Sequence, residues 1–109
     1  MSNQRFTEKD WQLFRKKIIG WQESYMDKLN KEYIELLDAD VQASDRFWSL
    51  AKRIREDQKS VGVQIDMRQS TMIENIVSLI DDHVIDFNDL EDFSDELKES
   101  VHKIFDCLF

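Results

Sequence analysis

An all-α fold follows from three features of this chain. One amphipathic run extends unbroken from Thr7 to Leu37, the 109 residues include only two glycines and no proline, and the apolar spacing is helical nearly throughout. Together they predict a single domain, residues 1–109, folded as a helical bundle of four to five helices built on the long N-terminal helix of about residues 7–37. A chain of this size forms a core without metals or disulfides.

The first helix carries the clearest pattern. With Trp11 as origin and 100° per residue, Phe14, Ile18, Trp21, Tyr25, Leu29, Tyr33 and Leu36 fall within roughly 80° of it. Ile19, Met26 and Leu37 widen it on one flank. Thr7 is placed to cap, with Asp10 three residues on as a variant capping box, and Glu8 and Asp10 suit the positive end of the helix dipole. Gly20 falls opposite Trp11, on the solvent side; a kink there is the alternative. A rod of about 46 Å overhangs a compact domain, whose diameter is roughly 34 Å. Either the fold is elongated or a second chain covers the overhang. The expectation is a homodimer, with Trp11, Phe14, Ile18, Trp21, Tyr25, Leu29 and Tyr33, together with Trp48, as the dimer or core stripe.

After a polar connection, Ser44 predicts the cap of a second helix over Asp45–Lys59, with Phe47, Leu50, Ala51 and Ile54 facing the core. Trp48 lies about 100° off that stripe, at the edge of the core or as an interface anchor. Ser60 to Ile65 alternates apolar residues but is too short for a lone strand, so it reads as an extended connector. A third helix is expected over Met67–Asp82, capped by Asp66, with Ile73, Ile76, Val77 and Ile80 inward and Met72 and Leu79 beside them. His83 to Asp86 is a turn. Asp86 caps again, and Leu90, Phe93, Leu97, Val101, Ile104 and Leu108 share a face. They form one helix from Phe87 to Leu108, or a short helix followed by one capped by Ser94.

Charge is unevenly distributed. Residues 1–80 hold 13 basic and 13 acidic side chains, whereas residues 81–109 hold 10 acids against Lys98 and Lys103, so the whole net charge of −8 lies in the last quarter. Asp89, Glu91, Asp92, Asp95, Glu96 and Glu99 form the candidate partner-binding face. On a continuous helix five of these charges span about 12 Å, close to the phosphate spacing of a DNA strand. The basic counterpart is the second helix, with Arg46, Lys52, Arg53, Arg55 and Lys59.

Reaction chemistry leaves little trace. His83, His102 and Cys107 match no zinc spacing, and no metal or cofactor is expected. An EF-hand starting at Asp86 fails, because Leu90 and Glu91 stand where a ligand and a glycine belong. Gly20 and Gly62 make no phosphate loop, and no nucleophile–base spacing stands out. The single cysteine fits a reducing compartment. The N-terminal residues lack a signal-peptide core and no window offers the roughly 20 apolar residues of a membrane span, so a cytoplasmic location is expected.

Three stretches, TEKDWQLFRKKIIGWQESYMDKLNKEYIELL, SDRFWSLAKRIREDQKSVGV and DLEDFSDELKESV, together resemble a family of short acidic helical proteins of Gram-positive bacteria. Some of its members carry the labels "multidrug transporter" or "complexin". The resemblance covers roughly Thr7 to Val101 and implies carriage on mobile elements, but it brings no activity or site residues. The transporter label conflicts with the lack of any spanning segment.

The residues therefore predict a non-enzymatic protein-binding module. Its most concrete form is an inhibitor, anti-CRISPR-like or DNA-mimicking, whose acidic face occupies the basic channel of a nucleic-acid-binding enzyme. The alternatives are a nucleic-acid-binding accessory factor using the basic second helix, and a structural oligomer without ligand. The acidic tail disfavours direct nucleic-acid binding.

Overall fold

The computed structural model describes residues 5–109. Four helices span Glu8–Leu37 (α1), Ala43–Asp57 (α2), Met72–Asp81 (α3) and Asp95–Leu108 (α4), with 3₁₀ turns at Gln69–Thr71 and Phe87–Leu90. The described residues contain no strand.

The start of α1 is the expected capping box. Thr7 Oγ1 accepts from the Asp10 N–H at 3.1 Å, and Asp10 Oδ2 accepts from the Thr7 N–H at 2.8 Å. The helix continues through Gly20, where a Cβ would meet nothing within 4 Å.

Two helix starts differ from expectation. α2 begins at Ala43, with Gln42 as a cap that makes no side-chain bond, so Ser44 lies inside the first turn. The Arg46 N–H already reaches the Gln42 carbonyl at 3.1 Å, and the Arg46 guanidinium holds the carbonyls of Leu37 and Ala39. That grip closes the connection early. α3 begins at Met72, five residues late. The Asp66 carbonyl accepts from Asn75 Nδ2 and Thr71 Oγ1 while its carboxylate pairs with Arg68, so residues 64–71 are held outside the helix. The end of α3 is a Schellman turn: the N–H groups of His83 and Val84 bond to the carbonyls of Ile80 and Leu79, with His83 in the left-handed region at φ 61°.

The molecule measures 61 × 27 × 23 Å, with a radius of gyration of 16.9 Å, against about 13 Å for a compact chain of this length. The overhanging rod is accommodated by elongation. The first half of α1 packs with α3 and α4 into a lobe, and its second half pairs with α2 into a two-helix arm.

The lobe holds nearly all of the core. Phe14, Ile18, six of the ten residues of α3, Ile85, Leu90, Phe93, Leu97 and Val101 form one buried cluster. Trp21 bridges Phe14 and Phe93 at centroid distances of 6.1 and 6.3 Å. In the arm, Leu29 is buried, but no residue of α2 is.

Candidate partner-binding surfaces

The C-terminal acidic segment is anchored to the lobe by one carboxylate. Asp10 is 3% exposed and is the buried charged residue among those described. Its Oδ1 accepts from the Ser94 N–H at 2.8 Å, and its Oδ2 from the Ser94 hydroxyl at 2.5 Å as well as from Thr7. Ser94 Oγ in turn accepts from the Leu97 N–H and so caps α4. Two helix N-termini, 84 residues apart in sequence, thus share one negative charge, which their dipoles favour. Burial pushes the Asp10 carboxyl upward, but the hydrogen bonds from Ser94 and Thr7 outweigh it and hold it below its ordinary value of 3.8.

That anchor corrects the expected acidic ladder. The chain leaves the helix between Leu90 and Ser94, so Glu91 and Asp92 lie in the break and Asp89 closes the Asp86 capping box of a separate 3₁₀ turn. Only Asp95, Glu96 and Glu99 remain on α4, the first two in its opening turn. All six carboxylates are exposed. Asp92 meets Lys17 at 3.4 Å, and Asp95 meets Lys98 at 4.0 Å. The outer strip of α4 alternates Asp95, Lys98, Glu99, His102, Lys103 and Asp106, mixed in sign rather than uniformly negative. His102 stacks on Phe87 at 4.1 Å. Among the described residues no three His, Cys, Asp or Glu side chains converge as a metal site.

The apolar stripe of α1 is largely covered from within. Phe14 and Ile18 are buried in the lobe, and Trp11 and Trp21 pack against its core. Tyr25 is half-buried beside Gly62, while Leu29 and Tyr33 line the seam with α2. Tyr33 and Asp57 bond across the middle of that seam, and Arg53 with Glu32 closes one flank of it. The Tyr33 hydroxyl donates to Asp57 Oδ2 at 2.6 Å, and Arg53 pairs with Asp57 at 3.0 Å and with Glu32. Burial first, then the Asp57 carboxylate, push the Tyr33 hydroxyl up to about 12. Arg46 and Arg53 are thereby engaged, leaving Lys52, Arg55 and Lys59 as the exposed cations of the basic segment.

The opposite flank of the arm is open. A cleft of about 310 Å³ lies between the helices, lined by Met26, Leu29, Asn30, Tyr33, Ile54, Asp57, Gln58 and Val63. By helical spacing Met26 and Asn30 continue toward the tip as Ile34 and Leu37, and Ile54 and Gln58 continue as Ala51 and Phe47. The large apolar side chains at the tip are bare: Ile34 is 66% exposed, Phe47 62% and Trp48 64%, with Val41 and Leu37 also exposed. Phe47 and Trp48 pack edge to face at 4.9 Å. The expectation that Phe47 faces the core is therefore overturned, because a two-helix arm has no third element to cover it. Trp48 lies outside the core altogether. Helical spacing sets Trp48 off its stripe, but the groove has no signal in either helix alone, because only the pairing of α1 with α2 creates it.

No family model, curated protein or solved structure matches this chain. No helix of the described residues is long and apolar enough to cross a membrane.

Proposed function

We propose that this protein is a protein-binding module without chemistry of its own, and that the open flank of the arm is its contact surface. The carrying observation is the group of bare apolar side chains at the arm tip, Ile34, Leu37, Val41, Phe47 and Trp48. Five large apolar side chains exposed in one short segment are the mark of an interaction surface, and paired aromatics are its usual anchors. The test is capture of a partner by tagged wild type and by the Phe47→Ser, Trp48→Ser double variant. Both should show the same helical circular dichroism, since neither side chain supports the protomer's core. Loss of capture in the variant supports the reading; undiminished capture removes the arm from it.

A second reading keeps the acidic inhibitor. It is favoured by the exposure of Glu91, Glu96 and Glu99, none of which meets a cation among the described residues. The broken ladder and the lysines of α4 weaken the likeness to a phosphate backbone. Replacing these three glutamates by glutamine should relieve inhibition of a nucleic-acid enzyme and flatten its salt dependence. Inhibition that is unchanged by the triple variant sinks this reading.

A further inference from the structure

We infer that the occupant of the open flank is a second copy of this chain, seated antiparallel so that two arms make a four-helix bundle. The inference rests on the reading of the arm as a contact surface and names what contacts it.

Three observations favour a copy over an unrelated protein. The first is self-complementarity of shape. The cleft lies at the arm's root and the exposed Phe47 toward its tip, 7 to 11 residues along α2 from the lining residues Ile54 and Gln58. Rotation by a two-fold axis near Ala51 and Lys52 exchanges tip and root. It sets Phe47 of each copy against the cleft of the other, a reciprocal contact of the kind an isologous interface requires.

The second is charge. The tip carries Glu35, Asp38, Asp40 and Asp45, all exposed, and no basic residue between positions 35 and 45. The root half of α2 and the turn that follows it carry exposed Lys52, Arg55 and Lys59 against one exposed carboxylate, Glu56. Antiparallel arms lay the acidic tip of each copy over the basic root of the other, whereas parallel arms would stack four carboxylates on four.

The third is area. The molecule exposes 7480 Å². A compact protein of 13.1 kDa exposes about 6,400 Å². The excess of about 1,000 Å² is of the size that each partner contributes to a stable interface, about 800 Å². Two-helix hairpins that bury little by themselves complete a core by pairing, as helical bundles do.

Sedimentation velocity on the full chain across 1 to 100 μM tests this. The expected result is a species of twice 13.1 kDa. Phe47→Asp should shift it to the monomer with helix content unchanged. Reversing the tip charges (Asp38→Lys, Asp40→Lys, Asp45→Lys) should weaken the dimer at least 10-fold. Adding Lys52→Glu, Arg55→Glu and Lys59→Glu to that variant should restore it, whereas failure of this rescue overturns the antiparallel arrangement. A monomer at 100 μM overturns the inference outright. If that monomer still captures another protein through Phe47 and Trp48, the protein-binding reading stands and only the choice of occupant fails. If it captures nothing, both fail.

Discussion

The lobe and the arm are built from the same kind of helix, yet they bury apolar surface very differently. In the lobe the first half of α1 meets α3 and α4, and thirteen apolar side chains become one buried cluster. In the arm the second half of α1 meets α2 alone, and Leu29 is the buried apolar residue of that pair. The stripe on α1 is continuous across both regions, so the contrast does not come from that helix. It comes from the number of neighbours. Three elements can enclose a core, whereas two leave each helix open on a flank. The lobe is therefore where the buried core lies, and the arm carries five of the nine large apolar side chains exposed among the described residues.

The strongest way to break the lobe is to remove its shared carboxylate. Asp10→Ala leaves the Ser94 N–H, the Ser94 hydroxyl and the Thr7 N–H without their acceptor. Because hydrogen bonds to a charged group are among the stronger ones, the expected loss is about 3 kcal/mol. The melting temperature should drop by about 15 °C. The same residue gives the lobe an acid dependence. Its carboxyl lies below 3.8 in the folded chain, so its contribution is intact above that value and is lost as pH falls through the lowered one. Urea midpoints of wild type and variant should differ widely at pH 7, and the gap should narrow as pH falls below 3.8. A gap that stays constant as pH falls below 3.8 would mean that Asp10 acts by packing rather than by charge.

The joint between the two regions is the next place to probe. Gly62 is buried, and a Cβ there would lie 2.3 Å from Tyr25 Cδ2 and 2.7 Å from Val84 Cγ2. Tyr25 stands at the root of the arm and Val84 follows α3, so the methyl group of Gly62→Ala would push one region from the other. Overpacking of this kind costs about 1–3 kcal/mol. Chemical denaturation should show the loss, and Tyr25→Leu combined with Gly62→Ala should recover part of it. Gly20 is the control. Nothing lies near its Cβ position, so Gly20→Ala should raise stability by about 1 kcal/mol.

These sites also mark what could be read in the sequence. The Thr7–Asp10 capping box, the Asp86 and Ser94 caps and the inward faces of α1 and α3 are legible, because each depends on spacing within one segment. Asp10 was visible as a capping residue of α1, but its bonds to Ser94 join positions 84 apart, and no local pattern carries them. The start of α3 was misplaced for a related reason. Asp66 has the right side chain to cap a helix, yet its main-chain carbonyl is claimed by Asn75 and Thr71. Phe47 shows the limit most plainly. Its place on an apolar face was correct, but burial of that face required a neighbour that the chain does not supply.

A small loss confined to the arm is the one that best separates arm from lobe. Tyr33→Phe removes the hydroxyl that bonds Asp57 and ties α1 to α2, a loss of about 1 kcal/mol that falls on the arm alone. If the lobe holds the cooperative core, the arm opens by itself below the cost of global unfolding. Amide exchange should then quicken across residues 25–57 while α3 and α4 keep their protection. The same bond gives the arm an alkaline limit. The Tyr33 hydroxyl is raised from 10.0 to about 12, so its contribution is complete below pH 10 and fades as pH climbs through 12. The arm of the wild type should loosen across that interval, and the arm of Tyr33→Phe should lack this step. Uniform acceleration in every helix of the variant would instead make arm and lobe one cooperative unit, and the division drawn between them would not hold.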